Sequence, residues 1–236
     1  MAILITGGAR SGKSAFAERY ARSQSAVGIY IATGQPFDDE MEARIEKHRD
    51  DRDRQEGMTW ITVEEPFALA EWLNGHAEAI LSENPGVDQS LSAGGGQAGL
   101  SGEGHSRPVA FGKWSSSKNT DSPSRQFAES PVVLVDCLTL WLTNWLLRKE
   151  EDPSTDLRAE MDRLVDSIAR FPFPLLIVTN EVGDGIVPSY PLGRRFRDEA
   201  GWLNQRVAAA CECVFLVTSG IPVDLRAIAF RFEDGR

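Results

Sequence analysis

The sequence predicts an α/β fold in which helices cover both faces of a mostly parallel sheet. Short apolar runs that suit buried parallel strands alternate with segments of helical periodicity. The first apolar run ends in a glycine-rich loop, and an apolar fraction of 42% is enough for a packed core. We therefore expect one domain over residues 1–236, with right-handed connections between its parallel strands.

Six strands and six helices are predicted, and they alternate along most of the chain. Each strand is a short run rich in aliphatic residues, and the strands are expected at 2–6, 28–33, 60–63, 131–136, 174–179 and 213–218. Helical spacing of apolar residues, or a dense run of charge behind a capping aspartate, predicts helices at 14–22, 38–55, 66–81, 138–150, 156–170 and 194–211.

The stretch from about residue 82 to residue 130 has a different composition. It contains Gly94–Gly96, Ser115–Ser117 and scattered Gln, Asn and Pro, without apolar periodicity. Such a segment buries too little apolar surface to offset the entropy lost on ordering. We expect a disordered insertion in the single domain rather than a second domain.

Composition excludes several classes of partner. The formal net charge of −10 argues against nucleic acid or an anionic membrane surface, since both would repel the protein. No apolar run is long enough to span a membrane, and residues 2–6 read as a core strand rather than a signal peptide. The three cysteines are odd in number and lack the spacing of a zinc site, so we expect reduced thiols in a cytoplasmic protein.

The loop after the first strand has the form G-x-x-x-x-G-K-S and precedes a predicted helix, which is the context of a P-loop. Glycines let successive backbone N–H groups point at phosphate oxygens, and the helix adds its positive end. Lys13 is expected to reach the β- and γ-phosphates of ATP or GTP, and Ser14 to bind Mg²⁺. The predicted phosphate contacts are Gly7, Gly8, Ala9, Arg10, Ser11, Gly12, Lys13 and Ser14.

Asp136 ends the apolar run Val132–Val135 and fits a Walker-B carboxylate. On a strand next to the first one, it would hold Mg²⁺ directly or through water. The alternative is that Asp136 caps the helix that starts at Leu138, and the two interpretations are compatible.

The predicted helix at 38–55 carries an unusual density of charge. Arg44, His48 and Arg52 recur at helical spacing, so a histidine lies between two arginines. A solvated helix with ion pairs between neighbouring turns would explain the charge alone. A shared phosphate would make the face favourable, and a neutral imidazole between two cations is a nucleophile.

These residues resemble the bifunctional adenosylcobinamide kinase/adenosylcobinamide-phosphate guanylyltransferases of cobalamin biosynthesis. The resemblance covers nearly all of the chain outside the insertion. The P-loop is generic, whereas the Arg-Ile-x-x-His and Asn-Glu-Val-Gly-x-Gly-Ile-Val-Pro segments are specific. The matching stretches are 5–14, 30–33, 38–48, Trp60 with Glu64, 139–144, 178–188, 196–198, Gly201 and 204–205.

The resemblance implies two reactions and a RecA-like P-loop fold that assembles as a small homo-oligomer. ATP or GTP would phosphorylate the aminopropanol hydroxyl of adenosylcobinamide. GMP from GTP would then be transferred to that phosphate, giving adenosylcobinamide-GDP and releasing pyrophosphate. By position His48 would carry GMP covalently, which divides one displacement into two easier steps.

The resemblance also implies further contacts to the nucleotide. They are Ala32, Thr33, Gly34, Arg49, Asp50, Asp51, Arg52, Glu64 and Asp136. Glu65 competes with Glu64 for a role at the guanine or ribose. Asn180 and Glu181 end a core strand and are expected to face the site. Three arginines are candidates for the cobinamide phosphate, or simply form a solvated face: Arg194, Arg195 and Arg197.

Two other functions use the same phosphate loop. A regulatory GTP-binding protein would need a guanine-specificity motif of the N-K-x-D type, and Asn180-Glu181-Val182-Gly183 is not one. A single-activity small-molecule kinase would leave His48 with a structural role only. A further alternative is a member of the same family that keeps guanylyl transfer but has lost the kinase activity.

Overall fold

A single seven-stranded sheet organises the chain in the order β3-β2-β4-β5-β1-β6-β7. The computed structural model describes residues 1–36, 58–83 and 131–230, with side chains in the second range only as far as His76. The strands are β1 (Ala2–Thr6), β2 (Val27–Ala32), β3 (Thr59–Glu64), β4 (Val132–Asp136), β5 (Leu175–Val178), β6 (Cys213–Thr218) and β7 (Ile221–Asp224). The helices are α1 (Lys13–Gln24), α2 (Leu69–Glu83), α3 (Leu138–Glu151), α4 (Leu157–Arg170), α5 (Pro191–Ala210) and α6 (Leu225–Ile228).

The predicted fold class is confirmed, since every strand pair is parallel except the pair formed by β6 and β7. All six predicted strands are present within one or two residues of their predicted ends. β7 and α6 were not predicted. α5 begins at Pro191 rather than at Arg194, because proline suits the first turn of a helix. The predicted helix at 38–55 and nearly all of the predicted insertion lie outside the described residues.

One prediction about strand order is wrong. The strand of Asp136 does not lie next to β1, because β5 pairs with both β1 and β4 and separates them. With about 4.8 Å between neighbouring strands, β4 is about 10 Å from β1. Both strands are continuous apolar runs, and such runs carry no information about which strand is their neighbour.

One row of residues in register runs across the whole sheet. Glu64 pairs with Ala32, Ala32 with Asp136, and Asp136 with Val178. The row continues from Val178 through Ile5 and Phe215 to Asp224. The phosphate loop begins two residues after Ile5, so the predicted site residues at the ends of β1, β2, β3 and β4 share one edge of the sheet.

The two faces of the sheet carry different cores. On one face α1 packs over apolar side chains that include Ile3, Ile5, Leu134, Leu176 and Val178. The other face is covered by α2, α3, α4 and α5, with large buried side chains such as Leu73, Trp141, Met161, Leu164 and Leu203. Within the ranges that the structure describes, no helix has both the length and the apolarity to cross a membrane.

Candidate active site

The phosphate loop follows β1 directly and leads into α1. Gly12 precedes the helix with a φ of 92°, a left-handed conformation that glycine adopts at low cost. A Cβ atom on Gly7 would lie 2.4 Å from the carbonyl oxygen of Val217. Both glycines are therefore required by the path of the backbone.

Lys13 lies folded back over the loop. Its Nζ donates a hydrogen bond to the Gly8 carbonyl oxygen at 3.1 Å, and the residue is only 9% exposed. The buried hydroxyl of Ser11, by contrast, has no hydrogen-bond partner among the described residues. A loop with an ammonium group and an unsatisfied hydroxyl inside it suits an anionic ligand.

The turn between β6 and β7 supports the loop from behind. The N–H of Gly220 donates to the Ser11 carbonyl oxygen at 2.8 Å. A Cβ atom on Gly12 would lie 3.2 Å from the Gly220 Cα. The turn contains two residues with left-handed backbone, Ser219 at φ 51° and Gly220 at φ 80°.

Asp136 is oriented by β2 rather than by the helix that follows it. The Tyr30 hydroxyl lies 3.0 Å from Asp136 Oδ2 and donates to it. Cys137 is the N-cap of α3, and no side chain caps that helix end. The alternative role of Asp136 as a helix cap is therefore wrong, and one carboxylate oxygen has no hydrogen bond to the described part of the chain.

Thr33 joins the predicted contact segment 32–34 to the residue after Asp136. Its hydroxyl donates to the Cys137 carbonyl oxygen at 2.6 Å and accepts the Cys137 N–H at 2.9 Å. Asn144 on α3 donates to the Thr33 carbonyl oxygen at 2.8 Å and to that of Pro66 at 3.0 Å. Because the Thr33 side chain is fully buried and bonded, its hydroxyl is not available to a nucleotide.

The structure separates the roles of Glu64 and Glu65. Glu65 Oε1 accepts the N–H groups of Phe67 and Ala68 at 3.2 and 2.7 Å, which closes the turn that leads into α2 at Leu69. Glu64 is exposed at the end of β3, and its carboxylate has no hydrogen bond or ion pair within the described ranges. Glu64 is therefore the carboxylate available to a ligand.

The residues that follow β5 contact the phosphate loop. The N–H of Glu181 donates to the Gly7 carbonyl oxygen at 3.1 Å. Asn180 donates its N–H to Thr139 Oγ1 at 2.8 Å, and its carbonyl oxygen accepts from Asn204 Nδ2 at 3.1 Å. The backbone contact places Glu181 beside the phosphate loop, and that Asn180 and Glu181 face a bound nucleotide stays a prediction.

The three arginines at the start of α5 already have partners in the protein. Arg194 donates to the carbonyl oxygens of Pro188 and Ser189. Arg197 donates to those of Gly183 and Gly185. These two arginines hold the loop between β5 and α5. Arg195 forms an ion pair with Glu150 at 3.2 Å.

Burial, together with the neighbouring Asp136 charge, raises the pKa of the Cys137 thiol to about 12. The charge of Lys13 acts in the opposite direction, so the loop lysine and Asp136 both influence the same buried thiol across β5. A thiol with this pKa stays protonated at neutral pH and is not a nucleophile.

Ser14 and Asp136 supply hard oxygen donors on the α1 side of the sheet edge. Where the structure describes the chain, no three His, Cys, Asp or Glu side chains converge as a metal site. Mg²⁺ needs no such cluster, since it binds through one or two protein oxygens together with phosphates and water. The donor set fits Mg²⁺ in company with a nucleotide.

The residues from His48 to Arg52 lie outside the described residues, so the structure gives no position for the predicted nucleophile or its neighbours. Several supporting residues were not predicted to have a role: Tyr30, Asn144, Asn204 and Gly220. The first three belong to segments that carry the family resemblance, which was a signal for them. The position of Gly220 depends on β7, and no local pattern indicated it.

Comparison with known proteins shows which family the chain resembles. The family model described as cobinamide kinase / cobinamide phosphate guanyltransferase matches residues 3–84 and 103–225. The chain is 37% identical over 223 residues to the bifunctional adenosylcobalamin biosynthesis protein CobP of Pseudomonas aeruginosa, covering 94% of this chain and 96% of that protein. It is 36% identical to the bifunctional adenosylcobalamin biosynthesis protein CobU of Escherichia coli, and the match covers 96% of this chain and all of that protein.

CobU of Salmonella typhimurium is 35% identical to this chain over 236 residues, with the same coverage. The matched residues include the phosphate loop, the His48 segment, Asp136 and the loop after β5. The chain therefore belongs to the cobinamide kinase / cobinamide phosphate guanyltransferase family.

Proposed function

We propose that this chain is a bifunctional kinase and nucleotidyltransferase of cobalamin biosynthesis. It phosphorylates adenosylcobinamide with ATP or GTP and then transfers GMP from GTP to adenosylcobinamide phosphate. One observation supports this proposal most directly. A P-loop, in which Lys13 is bonded to Gly8, and the Asp136 carboxylate lie on one face of the sheet in a member of this family.

In the kinase reaction the phosphate loop holds the nucleotide through backbone N–H groups. Lys13 exchanges its bond to Gly8 for the β- and γ-phosphates, and the buried Ser11 hydroxyl gains an acceptor. Ser14 and Asp136 would hold Mg²⁺, which would supply positive charge to the phosphates. Positioning and electrostatic stabilisation then provide most of the catalysis.

In the guanylylation reaction the His48 imidazole attacks the α-phosphorus of GTP. The bond from the α-phosphorus to the bridging oxygen breaks, and pyrophosphate leaves while it is held by the phosphate loop. The phosphate of the cobinamide substrate then displaces histidine from GMP. Ala32, Gly34 and the Arg49–Arg52 segment contact the nucleotide, and Glu64 binds its guanine or ribose.

The remaining features of the proposal concern location and assembly. We expect a cytoplasmic homo-oligomer, with free thiols at Cys137, Cys211 and Cys213. Exposed apolar side chains on β7 and after it support self-association: Ile221 and Ile228 are 65% and 68% exposed.

The test is labelling with GTP that carries radioactive phosphorus at the α-position. Wild-type protein should retain acid-labile, base-stable label after denaturation, and His48→Ala should retain none while still phosphorylating cobinamide. Lys13→Ala should lose both activities, because both need the triphosphate in the loop. Absence of label in active wild-type protein would exclude the covalent route.

The same experiment distinguishes the other candidate functions. A single-activity kinase would phosphorylate cobinamide without becoming labelled, and a regulatory GTP-binding protein would hydrolyse GTP without modifying cobinamide. Normal phosphorylation of cobinamide by Lys13→Ala would contradict the assignment of the phosphate loop.

A further inference from the structure

Three carboxylates lie at the carboxyl edge of the sheet on strands at different distances from the phosphate loop. Glu64 ends β3, Asp136 ends β4, and Glu181 follows β5. At about 4.8 Å per strand, these strands are about 19, 10 and 5 Å from β1. Glu181 therefore comes from the strand that directly adjoins the strand of the phosphate loop.

The backbone of Glu181 is attached to the first glycine of that loop through its N–H, which donates to the Gly7 carbonyl oxygen at 3.1 Å. The side chain is half-buried, and its Oε1 accepts the Gly183 N–H at 3.1 Å. Its second oxygen has no hydrogen-bond partner in the described ranges. One oxygen thus fixes the carboxylate while the other is available.

A buried polar network fixes the chain just before Glu181. Thr179 Oγ1 donates to Asn204 Oδ1 at 2.8 Å, and Asn204 Nδ2 donates to the Asn180 carbonyl oxygen. Thr139 from α3 accepts the Asn180 N–H. Thr179 and Asn204 are 2% and 8% exposed, so this network is shielded from water and holds the end of β5 firmly.

The other carboxylates near the edge are less suitable for accepting a proton from a substrate. Asp136 already accepts the Tyr30 hydroxyl and is assigned to Mg²⁺. Glu64 is separated from β1 by three strands. Asp184 lies in the same loop as Glu181, but it is exposed and has no hydrogen bond to the described residues.

We propose that Glu181 is the general base of the kinase reaction, an inference that rests on the proposed function. The substrate hydroxyl oxygen forms a bond to the γ-phosphorus while its proton passes to the Glu181 carboxylate. The bond from the γ-phosphorus to the β,γ-bridging oxygen breaks, and its electron pair leaves with the nucleoside diphosphate.

The second reaction has no need for this base. Its acceptor is a phosphate that is already an anion at neutral pH, so no proton has to leave the attacking oxygen. The first step on GTP uses the lone pair of a neutral imidazole. Loss of Glu181 should therefore separate the two activities, in the opposite sense to loss of His48.

The variants to compare are Glu181→Gln, Glu181→Asp and Asp184→Asn. Glutamine keeps an oxygen that accepts the Gly183 N–H but takes no proton, whereas aspartate keeps the base at a shorter reach. Asp184→Asn removes the same charge from an exposed position of the loop. The measurements are kcat and KM for cobinamide phosphorylation, and the extent of GMP labelling from GTP.

We expect the kinase kcat of Glu181→Gln to fall by about 100-fold or more. Its KM values, its GMP labelling and the activity of Asp184→Asn should stay close to wild type, with Glu181→Asp intermediate. A kcat for Glu181→Gln close to wild type, or loss of GMP labelling along with the kinase activity, would overturn the proposal. Wild-type protein that phosphorylates no cobinamide would instead refute the proposed function.

Discussion

Asn144 shows how one buried side chain can organise two segments with predicted nucleotide contacts. Its amide donates to the carbonyl oxygens of Thr33 and Pro66, and the residue is 2% exposed. The first carbonyl follows Ala32, and the second follows the Glu64–Glu65 pair. The amide therefore ties the segments that follow β2 and β3 to α3 at the edge of the site.

Replacing Asn144 by alanine should leave two carbonyl oxygens without their donor. Because an unsatisfied buried polar group costs about 1–3 kcal/mol, we expect the free energy of unfolding in urea to fall by at least about 2 kcal/mol. Asn74→Ala, on the exposed side of α2, is the matched control and should change it by less than about 0.5 kcal/mol. Equal stability of the two variants would mean that other donors replace the amide.

Glu64 and Glu65 show where prediction from residues alone reached its limit. Both glutamates follow a predicted strand, and either could serve the guanine or ribose. The distinction depends on which carboxylate accepts N–H groups of the turn before α2, and Glu65 does. Pro66 gave no reliable signal, because the helix predicted from residue 66 begins only at Leu69.

At the scale of elements, the turn between β6 and β7 supports the phosphate loop without belonging to it. Gly220→Ala should place a side chain at a φ of 80°, which disfavours the turn that donates to Ser11. We expect the Kd for GTP to rise by about tenfold, equivalent to about 1.4 kcal/mol, when it is measured by calorimetry.

Ser219→Gly is the matched control for this turn. Its φ of 51° is one that glycine adopts more readily, so the variant should gain about 1 kcal/mol in unfolding free energy and bind GTP as wild type does. Unchanged affinity in Gly220→Ala would show that the loop keeps its shape without the turn.

Most elements were predictable because each carries a local pattern of apolar residues, such as the continuous apolar runs of β1, β4 and β5. β7 was not, since it is a four-residue edge strand with a proline, and two of its four side chains are exposed. The position of β5 between β1 and β4 was also not predictable. It follows from packing of the complete sheet, which no local pattern encodes.

For the whole molecule, buried thiols predict how stability responds to alkaline pH. Burial raises the pKa of both Cys137 and Cys211 to about 12. In the unfolded chain these thiols ionise near their ordinary value, so rising pH favours unfolding from about pH 9 upward. Below that value their contribution to stability is complete.

We expect each thiol to lower the unfolding free energy by about 1.4 kcal/mol per pH unit in the range between its unfolded and folded pKa values. Urea denaturation of wild type and of a Cys137→Ala, Cys211→Ala variant, from about pH 8 to about pH 11, measures this directly. The variant should show the shallower decline. Parallel declines would contradict the assignment of the raised pKa values to these two cysteines.

The pairing of β1 has a consequence for synthesis of the chain. Among the described strands β1 is made first, yet its two neighbours in the sheet, β5 and β6, are translated more than 165 residues later. The last contact to the phosphate loop, from Gly220, arrives later still. We therefore expect a nascent chain on the ribosome to bind GTP only after residue 220 has emerged, because the strands and the turn that hold the phosphate loop are made late.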